Sequence, residues 1–182
     1  MTLQEYFATP ETVLPQELIY GEMRVVAESP TTTHQAVVGA LFLTLHAHVT
    51  QRRLGSVWLA PLDVVLDPDR ALVLQPDLLV VRHDGAAMVS EKVYGPPDLV
   101  IEVLSPRPRI GELVERVGWF RDHGVRECWL VHHLERRMEV IRFADRRITQ
   151  RRSFGADDAI ESGVLPDFDM APVAFLGYRP GR

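Results

Sequence analysis

Two carboxylates stand inside segments that are otherwise apolar. Asp77 interrupts LVLQPDLLVV (72–81), and Glu102 interrupts PDLVIEVL (97–104). Taking a bare carboxylate out of water costs several kcal/mol unless it is paired, hydrogen-bonded or bound to a cation, so two such intrusions ask for a cause. A shared divalent ion is one. Hard Mg²⁺ or Mn²⁺ takes carboxylate and carbonyl oxygens and keeps some of its waters, which two acids at the ends of neighbouring strands can satisfy. The other reading needs no metal: Asp77 caps the turn after Pro76, and Glu102 pairs with an arginine. Residue type alone does not choose between them.

Other reactive residue types carry weaker patterns. His46 and His48 are two apart on a helix, and His132 and His133 are neighbours on a strand, so neither pair converges on a metal. The single cysteine, Cys128, lies within a strand and reads as a buried structural thiol. Trp119 and Trp129 read as core or interface residues. No P-loop and no G-x-S-x-G elbow is present, which leaves NTPase and serine hydrolase chemistry without support.

The elements that must position these residues follow from capping and periodicity. Thr2 and Glu5 have the spacing of a capping box that opens a short helix, closed by Pro10. ELIYGEMRVVAE (17–28) alternates around Gly21 as two strands or a bent hairpin, and SPTTT (29–33) turns the chain. From His34 to Arg53, Val37, Val38, Leu41, Phe42, Leu45 and Val49 share one helical face, with Gly55 as the stop. VWLAPLDVVL (57–66) and the two carboxylate-bearing runs read as three strands buried on both faces. Ile110, Leu113, Val117 and Phe120 mark a second helix ending at Gly124, followed by strands at 127–133, 138–143 and 147–154, the last two paired across Asp145. The order from residue 33 is helix, three strands, helix, strand: an α/β (α+β) domain with a mixed central sheet.

At 182 residues the chain has the length of one domain, 1–182, able to bury a full core. The one cysteine excludes an internal disulfide and a four-cysteine zinc site, and fits a reducing, cytoplasmic setting. No apolar run approaches the length of a membrane span. Net charge is −5, but it is unevenly spread: residues 107–152 hold twelve arginines against seven acids, leaving the rest strongly acidic. Of the twenty basic residues nineteen are arginine, and Lys92 is the one lysine.

Pro76-Asp77, then 24 residues, then Glu102-Val103-Leu104, on this element order, resembles the PD-(D/E)xK nuclease superfamily and its restriction endonuclease-like fold. Within it, ELIYGE, SPTTTHQ, APLDVVL, QPDLLVV, PPDLVIEVLSP and GVRECWLV resemble the family of restriction-endonuclease-like proteins called Uma-two, over about residues 3–175. The resemblance implies an αβββαβ core, with an N-terminal helix and hairpin and a C-terminal hairpin outside it. It implies Asp77 and Glu102 as carboxylate ligands of Mg²⁺ or Mn²⁺, with the Val103 carbonyl as a third. The superfamily lysine two residues after the glutamate is absent, since that position is Leu104. In the family that lysine sits nine residues before the valine of GV-x-E-x-W, which here is Arg116.

Arginine changes the chemistry. Lysine can lose its proton to act as a base or stay charged to stabilise a transition state, whereas arginine does only the second. Water activation would then rest on the metal. Glu22 in the first hairpin and His34 on the first long helix match further family positions; each either supports the site or has a local role, Glu22 as a surface strand carboxylate and His34 in capping or hydrogen bonding. Glu112, one turn before Arg116, either orients it or forms an exposed helical ion pair. The hairpin arginines, Arg136, Arg137 and Arg147 among them, are candidates for phosphate contacts, with a solvated sheet edge as the other reading. The expectation is a metal-dependent endonuclease acting on DNA, off the membrane and compatible with a homodimer. The alternative is a catalytically degenerate nuclease fold serving as a nucleic-acid-binding or protein-interaction module.

Overall fold

The computed structural model describes residues 1–10, 15–25, 30–104 and 110–176. The strand end expected at 26–28 and position 29 of the expected turn lie outside them. The reciprocal Thr2–Glu5 hydrogen bonds open α1 (Leu3–Phe7) as a complete capping box. β1 (Gln16–Ile19) and β2 (Glu22–Val25) then pair antiparallel across Tyr20 and Gly21, both at positive φ. α2 (Thr32–Gln51) starts two residues before the expected His34, because Thr31 is its cap and accepts from the His34 N–H. Its buried stripe is Val37, Leu41, Leu45 and Val49.

Two of the three apolar runs divide where the sequence reading kept them whole. VWLAPLDVVL yields β3 (Gly55–Leu59) and β4 (Val64–Asp67), and LVLQPDLLVV yields β5 (Leu72–Leu74) and β6 (Leu78–Arg82). The breaks fall at Pro61 and Pro76, which have no N–H to give a ladder. At each break the chain passes from one sheet to another. Gly55 does not end the preceding helix but begins β3, where a Cβ would meet the Val81 carbonyl oxygen at 2.0 Å. β7 (Val93–Tyr94), β8 (Leu99–Val103), α3 (Ile110–Asp122), β9 (Glu127–His132), β10 (Arg137–Ala144), β11 (Arg147–Phe154) and α4 (Val173–Leu176) complete the order.

The larger sheet runs β11-β10-β9-β8-β6-β3 and the smaller β2-β1-β5-β4-β7. In the larger sheet β8 and β9 are parallel and the remaining pairs antiparallel. One face of it packs on α2 and the C-terminal residues Val164, Leu165, Phe168 and Phe175. Its other face, through Leu79, Val100 and Leu130, packs on Val117 and Phe120 of α3 and on Ile19, Val64 and Leu72 of the smaller sheet. Tyr6 of α1 joins Leu18, Val65 and Val73 on the smaller sheet's outer side. Through the larger sheet the chain reads α2, β3, β6, β8, α3, β9, the expected αβββαβ core. The second sheet was not expected. Asp145 and Arg146, both at positive φ, form the tight turn between β10 and β11, whose backbone twist matches that of the paired strands. Among the described residues no helix is long and apolar enough to cross a membrane.

Candidate active site

β6 and β8 pair antiparallel with Leu78 opposite Ile101 and Leu79 opposite Val100. Continuing that register by one residue sets Asp77, which immediately precedes β6, opposite Glu102 of β8. Strand parity turns Glu102 to the same side as Val100, the face covered by α3. Asp77 sits where the chain enters the larger sheet after Pro76, and its carbonyl accepts from the Ala60 N–H at 3.0 Å. Its side chain does not cap the local turn. Oδ2 accepts from the Val103 N–H at 2.7 Å, across to β8, and Oδ1 lies 3.3 Å from His34 Nε2.

Val117 and Phe120 seat α3 on the sheet and carry Arg116 over Glu102. Arg116 Nε donates to Glu102 Oε1 at 2.6 Å, and Nη1 donates to both oxygens of Glu17 at 2.8 Å. The Gln75 N–H holds Glu17 Oε1 at 2.6 Å. Glu17 is the acid that sequence reasoning missed. The string ELIYGE offers two carboxylates; Glu17 shares strand parity with buried Ile19 and so points inward, while Glu22 follows the turn. Glu22 is exposed, lining a surface groove with Tyr20, Arg24, Val114 and Trp119.

Burial, reinforced by Asp77 and Glu17, pushes the Glu102 carboxyl up to about 8 despite the neighbouring guanidinium. Burial works to lower Arg116, and Glu102 and Glu17 more than offset it, so the guanidinium stays charged. The hydrogen bond to Asp77 raises His34 above its ordinary value against the effect of burial, with Glu102 and the Val103 carbonyl adding to the rise. Glu102 therefore holds a proton in the folded chain that it loses near 4.5 when unfolded. Its contribution to stability is full below about 4.5 and is lost as pH rises through about 8. Because a cation needs the ionised carboxylate, Mn²⁺ affinity is expected to climb over pH 6–9, as roughly one proton is released per ion. Calorimetric titrations across that range check this, and Glu102→Gln should abolish the dependence.

The donors suit a hard divalent ion. Asp77, just before β6, and Glu102 of β8 offer carboxylate oxygens, the Val103 carbonyl is hydrogen-bonded to His34 beside Asp77, and the penalty on ionised Glu102 is what a cation would relieve. Among the described residues no group of three or more histidine, cysteine or acidic side chains is gathered for a metal. Two carboxylates would therefore leave most of the shell to water, as Mg²⁺ favours.

The remaining candidates are more scattered. Glu112 is exposed on the first turn of α3, one turn ahead of Arg116. Arg147 is exposed on β11, and Arg136 lies in the turn before β10 at positive φ. Arg137 is bound to Glu135 at 2.6 Å and to Glu139 at 2.9 Å. Arg151 is paired with Glu139 of β10, Arg142 with Glu127 of β9 and Arg152 with Glu161, so these three hairpin arginines are already met by acids. Cys128 and Trp129 are fully buried, as expected, and His133 is buried on the sheet face opposite His132.

Residues 3–174 match the model of the Uma2 family, described as "Putative restriction endonuclease". The chain belongs to the Uma2 family. A solved structure described as a putative nuclease belonging to DUF820, from Anabaena variabilis, superposes with a TM-score of 0.81 at 19% identity, over 97% of this chain and 98% of that one. At that identity the likeness establishes the fold, and it agrees with the core traced above. No functionally curated protein matches the chain. Uma2 membership supports a nuclease reading at the level of the family.

Proposed function

We propose that this Uma2 protein hydrolyses DNA phosphodiester bonds with Mg²⁺ or Mn²⁺ held by Asp77 and Glu102. The observation that carries the reading is the hold of Asp77, at the entry to β6, on the Val103 N–H of β8, next to a poorly solvated Glu102. A bound ion would lower the pKa of a coordinated water and withdraw charge from the phosphate. Val103 fixes Asp77 through Oδ2, which leaves Oδ1 toward His34 and the open side. Arg116 keeps its proton and so serves as a fixed positive charge against the oxyanions that build up in the transition state. Exposed Arg147 is a candidate phosphate contact; Arg137, already bound to two acids, is a weaker one.

A second reading has its own support. Arg116 already occupies Glu102 without a metal, as a binding-only nuclease fold would require. Plasmid nicking separates the two. Nicking that needs Mn²⁺ or Mg²⁺ and stops with EDTA is the expected result, and DNA binding without cleavage in either metal at any salt would establish the second reading.

A further inference from the structure

Arg116 is held from two sides. Glu102 takes its Nε at 2.6 Å and Glu17 takes its Nη1 through both oxygens at 2.8 Å, and the three side chains are only 17%, 13% and 12% exposed for Arg116, Glu102 and Glu17. The guanidinium thus already occupies Oε1 of Glu102, one of the oxygens a divalent ion would need. The geometry points to Arg116 as an internal cation that closes the metal site by contesting Glu102, with Glu17 as the anchor that keeps it when an ion enters. This inference rests on reading Asp77 and Glu102 as the metal carboxylates.

Three features support it. Two cations sharing one carboxylate in a poorly solvated site repel strongly, so the contact with Nε and an ion on the same oxygen exclude one another. A buried arginine that loses one acid is costly unless a second remains, and Glu17 is that second acid, itself fixed by the Gln75 N–H. The planar fork of arginine sets Nε on Glu102 and Nη1 on Glu17 in one fixed geometry, which the compact, freely rotating ammonium of lysine does not impose, so the device belongs to the residue found here. Loading of the site would then demand more metal than two free carboxylates would.

Mn²⁺ binding to the full chain without DNA, followed by the electron paramagnetic resonance of the free ion, tests this apart from cleavage. Arg116→Gln should tighten Mn²⁺ by about tenfold or more, since an occupying like charge is removed. Glu17→Gln should weaken it, because Arg116 is left to Glu102 alone. The double variant Glu17→Gln with Arg116→Gln keeps the wild-type net charge and should still bind more tightly than wild type. It also decides the question if Arg116→Gln, with two buried acids uncompensated, does not fold by circular dichroism. Unchanged or weaker binding in Arg116→Gln would overturn the inference. So would a gain that vanishes in the double variant, because net charge rather than occupancy would then be responsible. Cleavage by the Mn²⁺-loaded wild type reports separately on the nuclease reading: tighter binding in the variants with no cleavage by wild type would retain the latch and remove the nuclease.

Discussion

Asp77→Asn is expected to lower DNA cleavage by at least about a thousandfold, roughly 4 kcal/mol of transition-state stabilisation, with little loss of fold. Asparagine keeps a carbonyl oxygen that can accept from the Val103 N–H, so the link between β6 and β8 survives. It loses the charge on the oxygen facing His34 and the open side of the site. A second readout should move with it. The hydrogen bond to Asp77 is the main cause of the raised His34, so the imidazole should titrate at lower pH in the variant, which proton NMR can follow. Cleavage that persists unchanged would show that Asp77 does not hold the ion.

Glu127→Ala should cost about 3–5 kcal/mol of stability and about 10 °C in melting temperature, without touching the carboxylate pair. Glu127 is fully buried and accepts from Trp129 Nε1 at 2.7 Å, Ser162 Oγ at 2.6 Å, the Gly163 N–H at 2.6 Å and Arg142 Nε at 3.2 Å. It pins residues 162–163 to β9 and β10. Leu165 and Phe168, just beyond, cover the α2 face of the larger sheet, so losing the clamp loosens a core wall. Alanine leaves four donors without their shared acceptor, and three of them belong to that one clamp and its indole neighbour. Urea denaturation measures the loss; a change under about 1 kcal/mol would mean that water replaces the carboxylate at little cost.

Much of this was legible in the residues and some was not, for identifiable reasons. Helical periodicity places α2 and α3 closely, because the stripe from Val37 to Val49 acts locally, whereas the Thr31 cap passes for part of a turn and the helix begins two residues before the expected His34. Asp77 and Glu102 stand out because a charge in an apolar strand is costly wherever that strand lies. The division of two runs between two sheets was less visible: a continuous apolar string has no period to show which of its halves faces which layer, and only Pro61 and Pro76 mark the breaks. Glu17 was missed because its role depends on the pairing of β1 with the smaller sheet and on α3 above it, both tertiary. Within the GV-x-E-x-W motif, Glu127 was read as part of a family resemblance, whereas its side chain is a buried structural clamp.

On the proposed reading, one divalent ion sits between Asp77 and Glu102. Anomalous diffraction from a crystal soaked in Mn²⁺ addresses it directly. The expected result is a single strong peak at coordination distance, roughly 2.1 Å, from carboxylate oxygens of both residues. With it, Arg116 should have moved off Glu102 and stayed on Glu17. A peak held elsewhere, or Arg116 still bound to Glu102 at saturating Mn²⁺ with no peak between the carboxylates, would contradict the claim.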